Sequence, residues 1–221
     1  MIKAVFLDYT GTIIQEKGED LEKIVSRIWK NSRIETAEET IKLWWSLLKT
    51  MEEKSCGDTF MTEDEIVVHL LEKLGREVGL TDNFSELHKL FQRFWAYAPL
   101  FDDAKDFFEQ CTLPIYIITN NGTCYVEKCL KHNHLKAAGI ISGETVRAYK
   151  PHKEVFSYAL KQSGLSPKEV VHIGDSVISD VTGASAAGIT PILIDRKQRK
   201  QDLEYKVIHH LTDALPYLKT L

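Results

Sequence analysis

From Pro99 onward, short apolar runs alternate with stretches of helical periodicity. That alternation narrows the fold more than any other feature of the chain. Pro114-Ile115-Tyr116-Ile117-Ile118, Ile140-Ile141, Val170-Val171-His172-Ile173 and Pro191-Ile192-Leu193-Ile194 have the length and β-branched content of buried strands. Helical patterns run over 102–110, 124–133, 180–187 and 212–219, and a further helix is opened by Lys150-Pro151. Val207-Ile208 reads as a last short strand. Strands alternating with helices imply a parallel sheet with right-handed crossovers. One more strand, Ile2 to Leu7, stands far upstream and ends abruptly in Asp8-Tyr9-Thr10-Gly11-Thr12.

Between that strand and the next β-α unit lies a block with no strand pattern. Leu21, Ile24, Val25, Ile28 and Trp29 recur at spacings of three and four, as one helix face does. Ile41, Trp44, Trp45 and Leu48 repeat the pattern. After a break at 55–59, Thr62 and Glu65 form a capping box. Ile66, Val67, Leu70, Leu71 and Leu74 follow as a stripe that Gly75 or Gly79 can end. Phe84, Leu87, Leu90, Phe91, Phe94 and Trp95 give a last stripe. The sequence therefore predicts an α/β core over 1–14 and 98–221. An all-helical cap over 15–97 is inserted in it, with hinges near 13–15 and 95–100. Aromatic stripes of this kind most commonly serve helix packing.

Four features fall at strand ends on one edge of that sheet, where open α/β sheets bind ligands. They are Asp8 with Thr10 and Thr12, Thr119 with Asn120, Lys150 before Pro151, and Asp175 with Asp180. Each has a structural alternative: Asp8 caps a turn, Thr119 ends a strand, Lys150 lies on the surface, Asp180 caps a helix. Together they supply what phosphoryl transfer requires. Asp8 is the nucleophile, Thr119, Asn120 and Lys150 hold the anionic substrate, and Asp8 with Asp175 offers hard oxygen ligands to Mg²⁺.

A formal net charge of −4 argues against a nucleic-acid or anionic-membrane binder. The basic cluster Arg196-Lys197-Gln198-Arg199-Lys200 reads as a solvated loop. No apolar stretch approaches the roughly 20 residues of a membrane span. The amino terminus lacks secretory-signal features. The four cysteines lack zinc-ligand spacing. A cytoplasmic protein with reduced thiols is the expectation.

The chain resembles the haloacid dehalogenase (HAD) superfamily, in the subgroup with a helical cap inserted after the first strand. The four motifs occur in order: Asp8-Tyr9-Thr10-Gly11-Thr12, Ile117-Ile118-Thr119-Asn120, Lys150-Pro151 with Val155-Phe156, and Gly174-Asp175-Ser176 with Asp180. The resemblance implies a Rossmann-like core and an aspartyl-phosphate intermediate at Asp8. It implies Mg²⁺ held by Asp8, the Thr10 backbone carbonyl and Asp175, with Asp180 in the same acidic set. It also implies a cap that closes over substrate, with 55–59 resembling the loop that faces the site.

One position departs from the family pattern. Most phosphatases of this family carry Asp two residues after the nucleophile, as acid and then base. Here that residue is Thr10, which cannot shuttle a proton near neutral pH as a carboxylate does. The P-type cation pumps have Thr there, but their membrane helices are not in this sequence. Phosphonoacetaldehyde hydrolases also lack the Asp but add a cap lysine, and none of Lys17, Lys23, Lys30, Lys42, Lys49 or Lys54 stands out for that role. The expectation is a Mg²⁺-dependent phosphoric monoester hydrolase acting on a small phosphorylated metabolite. The alternatives are a phosphonatase, a haloacid dehalogenase, or a weakly active regulatory protein that binds metal and phosphate. If another group replaces the missing acid, the cap candidates are Glu52, Glu53, Asp58 and His69.

Overall fold

The computed structural model describes residues 1–198 and 204–220. Strand β1 (Ala4–Leu7) is followed by four helices: α1 (Glu19–Lys30), α2 (Ala37–Lys54), α3 (Glu63–Val78) and α4 (Phe84–Tyr97). Then come α5 (Asp102–Gln110), β2 (Ile115–Thr119), α6 (Thr123–Asn133), β3 (Gly139–Ser142), α7 (Gly143–Val146) and α8 (Lys153–Ser163). The chain closes with β4 (Val170–Gly174), α9 (Gly183–Ala186), β5 (Thr190–Ile194), β6 (Lys206–Ile208) and α10 (Ala214–Leu218). The six strands form one sheet in the order β3-β2-β1-β4-β5-β6, and every pairing is parallel. The strand order reverses between β1 and β4, so the crevice for a ligand opens there.

Strand β1 lies at the centre because it is apolar on both faces. Val5 and Leu7 belong to one buried cluster, Ala4 and Phe6 to the other, as the two-residue period requires. Side chains the size of Val5, Phe6 and Leu7 each contribute roughly 1.5–3 kcal/mol when fully buried.

The two linkers to the helical block run side by side. Gln15 N–H donates to the Pro99 carbonyl (2.8 Å), Phe101 N–H donates to the Ile13 carbonyl (3.0 Å), and Ile14 bridges antiparallel to Leu100. The block is braced to the core beyond these linkers. Tyr9 Oη donates to the Trp95 carbonyl (2.6 Å), and Trp95 packs on Tyr125 of α6 at a ring distance of 5.0 Å. Within the block, Trp44 of α2 stacks on Phe91 of α4 at 4.4 Å.

Some local readings shift. Gly79, at φ 69°, ends α3 in preference to Gly75. The helix expected over 180–187 begins earlier, as a π-helical turn over Val177–Thr182 that leads into α9. Lys150-Pro151 precedes α8, whose first helical residue is Lys153. The stretch 55–59 pairs with the residues just before Lys150. Cys56 bridges to Ala148 and Gly57 N–H donates to the Arg147 carbonyl (2.9 Å), so it ties the helical block to the sheet-bearing part. Arg196 is not solvated: it pairs with Asp103 (3.0 Å), donates to the Thr12 carbonyl (2.7 Å) and lies 3.6 Å from the Phe101 ring. Arg199 and Lys200 of that cluster lie outside the described residues.

Candidate active site

Asp8 follows β1 directly, and its N–H donates to the Ile173 carbonyl of β4 (2.9 Å), which prolongs the ladder by one residue. Its side chain is 8% exposed. Thr12 Oγ1 donates to Asp8 Oδ2 at 2.9 Å. The Lys150 ammonium donates to Asp8 Oδ1 and to Asp180 Oδ1, each at 2.6 Å, and all three side chains are buried. Asn120 holds the Lys150 backbone: its Oδ1 accepts Lys150 N–H at 2.8 Å.

Asp180 is saturated. Oδ1 also meets His172 Nε2 at 2.9 Å, and Oδ2 accepts the Ser176 N–H at 3.0 Å. Asp175 contrasts with it, making no hydrogen bond or ion pair among the described residues. Yet carboxylate oxygens of Asp8, Asp175 and Asp180 all lie within 4.8 Å of one another. Two glycines make the room. A Cβ on Gly11, which sits at φ 85°, would lie 2.5 Å from Asp175 Oδ2, and one on Gly174 would lie 2.2 Å from Asp180 Cγ.

The electrostatics follow from this packing. Burial raises Asp8, and the Lys150 charge only partly offsets it. Burial raises Asp175 well above the carboxylate range, and the neighbouring Asp8 and Asp180 add to the rise. Burial would raise Asp180 too, but Lys150 and His172 outweigh it and hold Asp180 below its ordinary value. Burial disfavours the Lys150 charge, while Asp180 and Asp8 more than compensate and keep it protonated. Three carboxylates thus face one ammonium. The surplus negative charge, the unpartnered Asp175 and the all-oxygen donor set suit a hard divalent cation such as Mg²⁺.

Asp8, Thr10, Thr119, Asn120, Lys150, Asp175 and Asp180, the sequence-predicted residues, all line one cavity of about 590 Å³. Thr10 and Thr119 meet at Asn121, whose Oδ1 accepts from Thr10 Oγ1 (2.8 Å) and Thr119 Oγ1 (3.2 Å). The opposite wall comes from the helical block: Leu21 and Ile24 of α1, Trp44, Trp45, Leu48 and Glu52 of α2, and Phe94 of α4.

The motif order and this strand-edge geometry agree with a family model for haloacid dehalogenase-like hydrolases, which matches residues 2–188. The chain belongs to that family. It is 31% identical to the phosphoserine phosphatase of Thermus thermophilus over 144 residues, 60% of this chain and 55% of that protein. It is 26% identical to the (S)-2-haloacid dehalogenase of Pseudomonas fluorescens over 193 residues, 84% of this chain and 77% of that one. The HAD-hydrolase YfnB of Bacillus subtilis, in a structure bound to magnesium, shares the fold with a TM-score of 0.79, at 22% identity and 99% coverage of both chains. The chain spans about half or less of the length of the first curated relatives it matches.

Two further residues of this HAD-like site are not singled out by the sequence. Glu63, which reads only as an early residue of α3, is 3% exposed; its Oε1 accepts Asn121 Nδ2 (2.8 Å) and its Oε2 accepts Gly122 N–H (3.0 Å). Burial pushes its carboxyl well above the usual range. His172 reads as part of an apolar strand; a polar side chain there signals a buried partner, which is Asp180.

Proposed function

We propose that this HAD-like hydrolase is a Mg²⁺-dependent phosphatase that acts on a small phosphorylated metabolite through an aspartyl phosphate at Asp8. The observation that carries this reading is the trio of Asp8, Lys150 and Asp175. A carboxylate at a strand end is held beside a buried ammonium, and a second, unpartnered carboxylate lies within 4.8 Å. The cavity volume of about 590 Å³ suits a small substrate.

Asp8 attacks phosphorus in line, its free lone pairs oriented by Thr12 and Lys150. Lys150 neutralises charge on the transferring oxygens, and Thr119 and Asn120 line the same end of the cavity. Asp180 keeps Lys150 charged and aimed. Asp8, Asp175 and the Thr10 backbone carbonyl would hold the Mg²⁺, with Asp180 beside them. When bound, the ion offsets the carboxylate charge and the charge on phosphate.

A panel of phosphoesters assayed with Mg²⁺ and with EDTA tests this. The reading requires phosphate release that depends on the metal and is absent in Asp8→Asn. Phosphate release unchanged by EDTA would overturn it.

A second reading, haloacid dehalogenase, is favoured by one feature. Position 10 carries no carboxylate, and a halide leaves without needing a proton. Metal-independent halide release from a 2-chloroalkanoate would favour it.

A further inference from the structure

An alcohol leaving group must gain a proton as its bond to phosphorus breaks, and the donor must lie within reach of the bridging oxygen. In-line attack puts that oxygen on the side of phosphorus away from Asp8, toward the helical block. Among the described residues, no core carboxyl that lines the cavity is free for this. Asp8 attacks, Asp175 belongs to the metal set, and both oxygens of Asp180 are engaged. Thr10 is a hydroxyl whose proton is already given to Asn121.

Three carboxyls of the cap side line the cavity: Glu16, Glu52 and Glu63. Both oxygens of Glu63 are occupied by Asn121 and Gly122. Glu16 is exposed on the linker, and the charges around it are Lys197, Lys49, Asp8 and Asp175. Glu52 stands in the last turn of α2, half-buried, with the Asn120 amide and Lys150 facing it from the core. Those two residues hold the phosphate end of the cavity. Of the three, Glu52 is the cavity carboxyl whose core neighbours are Asn120 and Lys150.

Resting on the phosphatase reading, we propose that Glu52 is the catalytic acid and base of this site, in the role that Thr10 cannot fill. In the first half, neutral Glu52 gives its proton to the bridging oxygen as the P–O bond breaks and the Asp8–phosphorus bond forms, releasing the alcohol. In the second half, Glu52 carboxylate takes a proton from the water that attacks phosphorus. The Asp8–phosphorus bond breaks, inorganic phosphate leaves, and Asp8 carboxylate and neutral Glu52 are restored. Burial, against the Asn120 amide, Lys150 and Lys49 and with Asp8, pushes Glu52 up to about 7. Glu63 and Tyr149 are its other titratable neighbours. Both protonation states are then accessible near neutral pH, as the two halves demand.

Leaving-group dependence tests this assignment. Wild type, Glu52→Gln and Glu16→Gln are each mixed with Mg²⁺ and either an alkyl phosphate or acetyl phosphate, whose leaving group needs no proton. The phosphoenzyme is then quenched and counted. Glu52→Gln is expected to lose about 10²–10⁴-fold in the rate of loading from the alkyl phosphate. It should still load from acetyl phosphate, and the phosphoenzyme should then accumulate because its hydrolysis lacks a base. The wild-type loss of alkyl-phosphate turnover above about pH 7 should vanish in Glu52→Gln. Glu16→Gln should keep the wild-type ratio of alkyl-phosphate to acetyl-phosphate loading. Wild-type alkyl loading in Glu52→Gln, an equal loss with both substrates, or the loss appearing in Glu16→Gln would each overturn the role. If wild type loads from neither substrate, the phosphatase reading itself falls, and the Glu52 role with it.

Discussion

Glu63 Oε1 of α3 accepts the Asn121 side-chain amide at 2.8 Å, and the same Asn121 accepts the Thr10 hydroxyl at 2.8 Å. The turn after β2, the turn after β1 and the start of α3 are thus one hydrogen-bonded unit. The helical block is held to the core at the rim of the site as well as through its linkers. Substrate entry must therefore either pass the braced wall or break this unit.

Glu63→Ala removes the acceptor of two donors, Asn121 Nδ2 and Gly122 N–H. A buried donor left unpaired costs about 1–3 kcal/mol. The variant should show a lower denaturation midpoint, and the Gly122 amide should exchange faster in hydrogen-exchange measurements. Unchanged protection at Gly122 would mean that the junction opens freely in solution.

Asp8→Asn should fold normally and lose turnover by several orders of magnitude. An amide oxygen at position 8 still accepts from Lys150, and Asp180 still pairs with that ammonium. Circular dichroism and thermal melting check the first half, and phosphate release checks the second. Wild-type-like turnover in the verified variant would exclude Asp8 as the nucleophile.

Asp175 and Asp180 should part company when each is changed to Ala. Asp175 has no partner to lose among the described residues, so Asp175→Ala should leave metal-free stability intact and abolish the rise in melting temperature on adding Mg²⁺. Asp180→Ala leaves the buried Lys150 ammonium with Asp8 alone and removes the partner of His172 and of the Ser176 N–H, so it should lower stability even without metal. Melting curves of both variants, with Mg²⁺ and with EDTA, distinguish the two roles. Equal behaviour would place both residues in one role.

Glu52 also sets a pH dependence of stability. Its folded-state value lies above its unfolded one, so its neutral form is favoured by folding. That contribution is complete below the ordinary carboxylate range and is lost as pH rises to about 7. Glu52→Gln removes the titration. The variant should therefore gain stability relative to wild type as pH rises from the ordinary carboxylate range to about 7, and hold a constant difference above that. Parallel midpoint-versus-pH curves across this window would contradict the burial of the carboxyl.

The strand ends are legible in the sequence because each apolar run stops at a polar residue, and the parallel order follows from helices between the strands. Asp8, Thr119 and Asp175 are found that way and Lys150 by its place at a helix entrance before Pro151, and all four line one cavity. Glu63 is not, because Thr62-Glu63-Asp64-Glu65 reads as an exposed helix start and nothing local says which acid turns inward. The partner that turns it, Asn121, is 58 residues away and reads as a turn residue. The stretch 55–59 points to the site only by its place in the cap. Its backbone pairing with Arg147 and Ala148 is a tertiary contact that no local pattern encodes.

Thr10→Asp would install the residue that most phosphatases of this family carry there, and the structure argues against a gain from it. Thr10 Oγ1 gives its proton to Asn121 Oδ1, and an ionised carboxylate at position 10 would set one of its oxygens against that amide oxygen. Turning the Asn121 amide would relieve the clash. It would also withdraw Nδ2 from Glu63 Oε1, breaking the bond that ties α3 to the core. The Thr119 hydroxyl, which also donates to Asn121 Oδ1, would lose its acceptor. Thr10→Asp alone should therefore lower the melting temperature and give no gain in alkyl-phosphate hydrolysis. Glu63→Gln should relieve part of that loss, because its amide group can donate to the turned Asn121. The check is a double-mutant cycle of Thr10→Asp and Glu63→Gln, read by thermal melting and by alkyl-phosphate turnover. Additive effects would show that the two positions are uncoupled. Brisk alkyl-phosphate turnover by Thr10→Asp alone would show that position 10 accepts a proton-transferring carboxylate without disturbing Asn121.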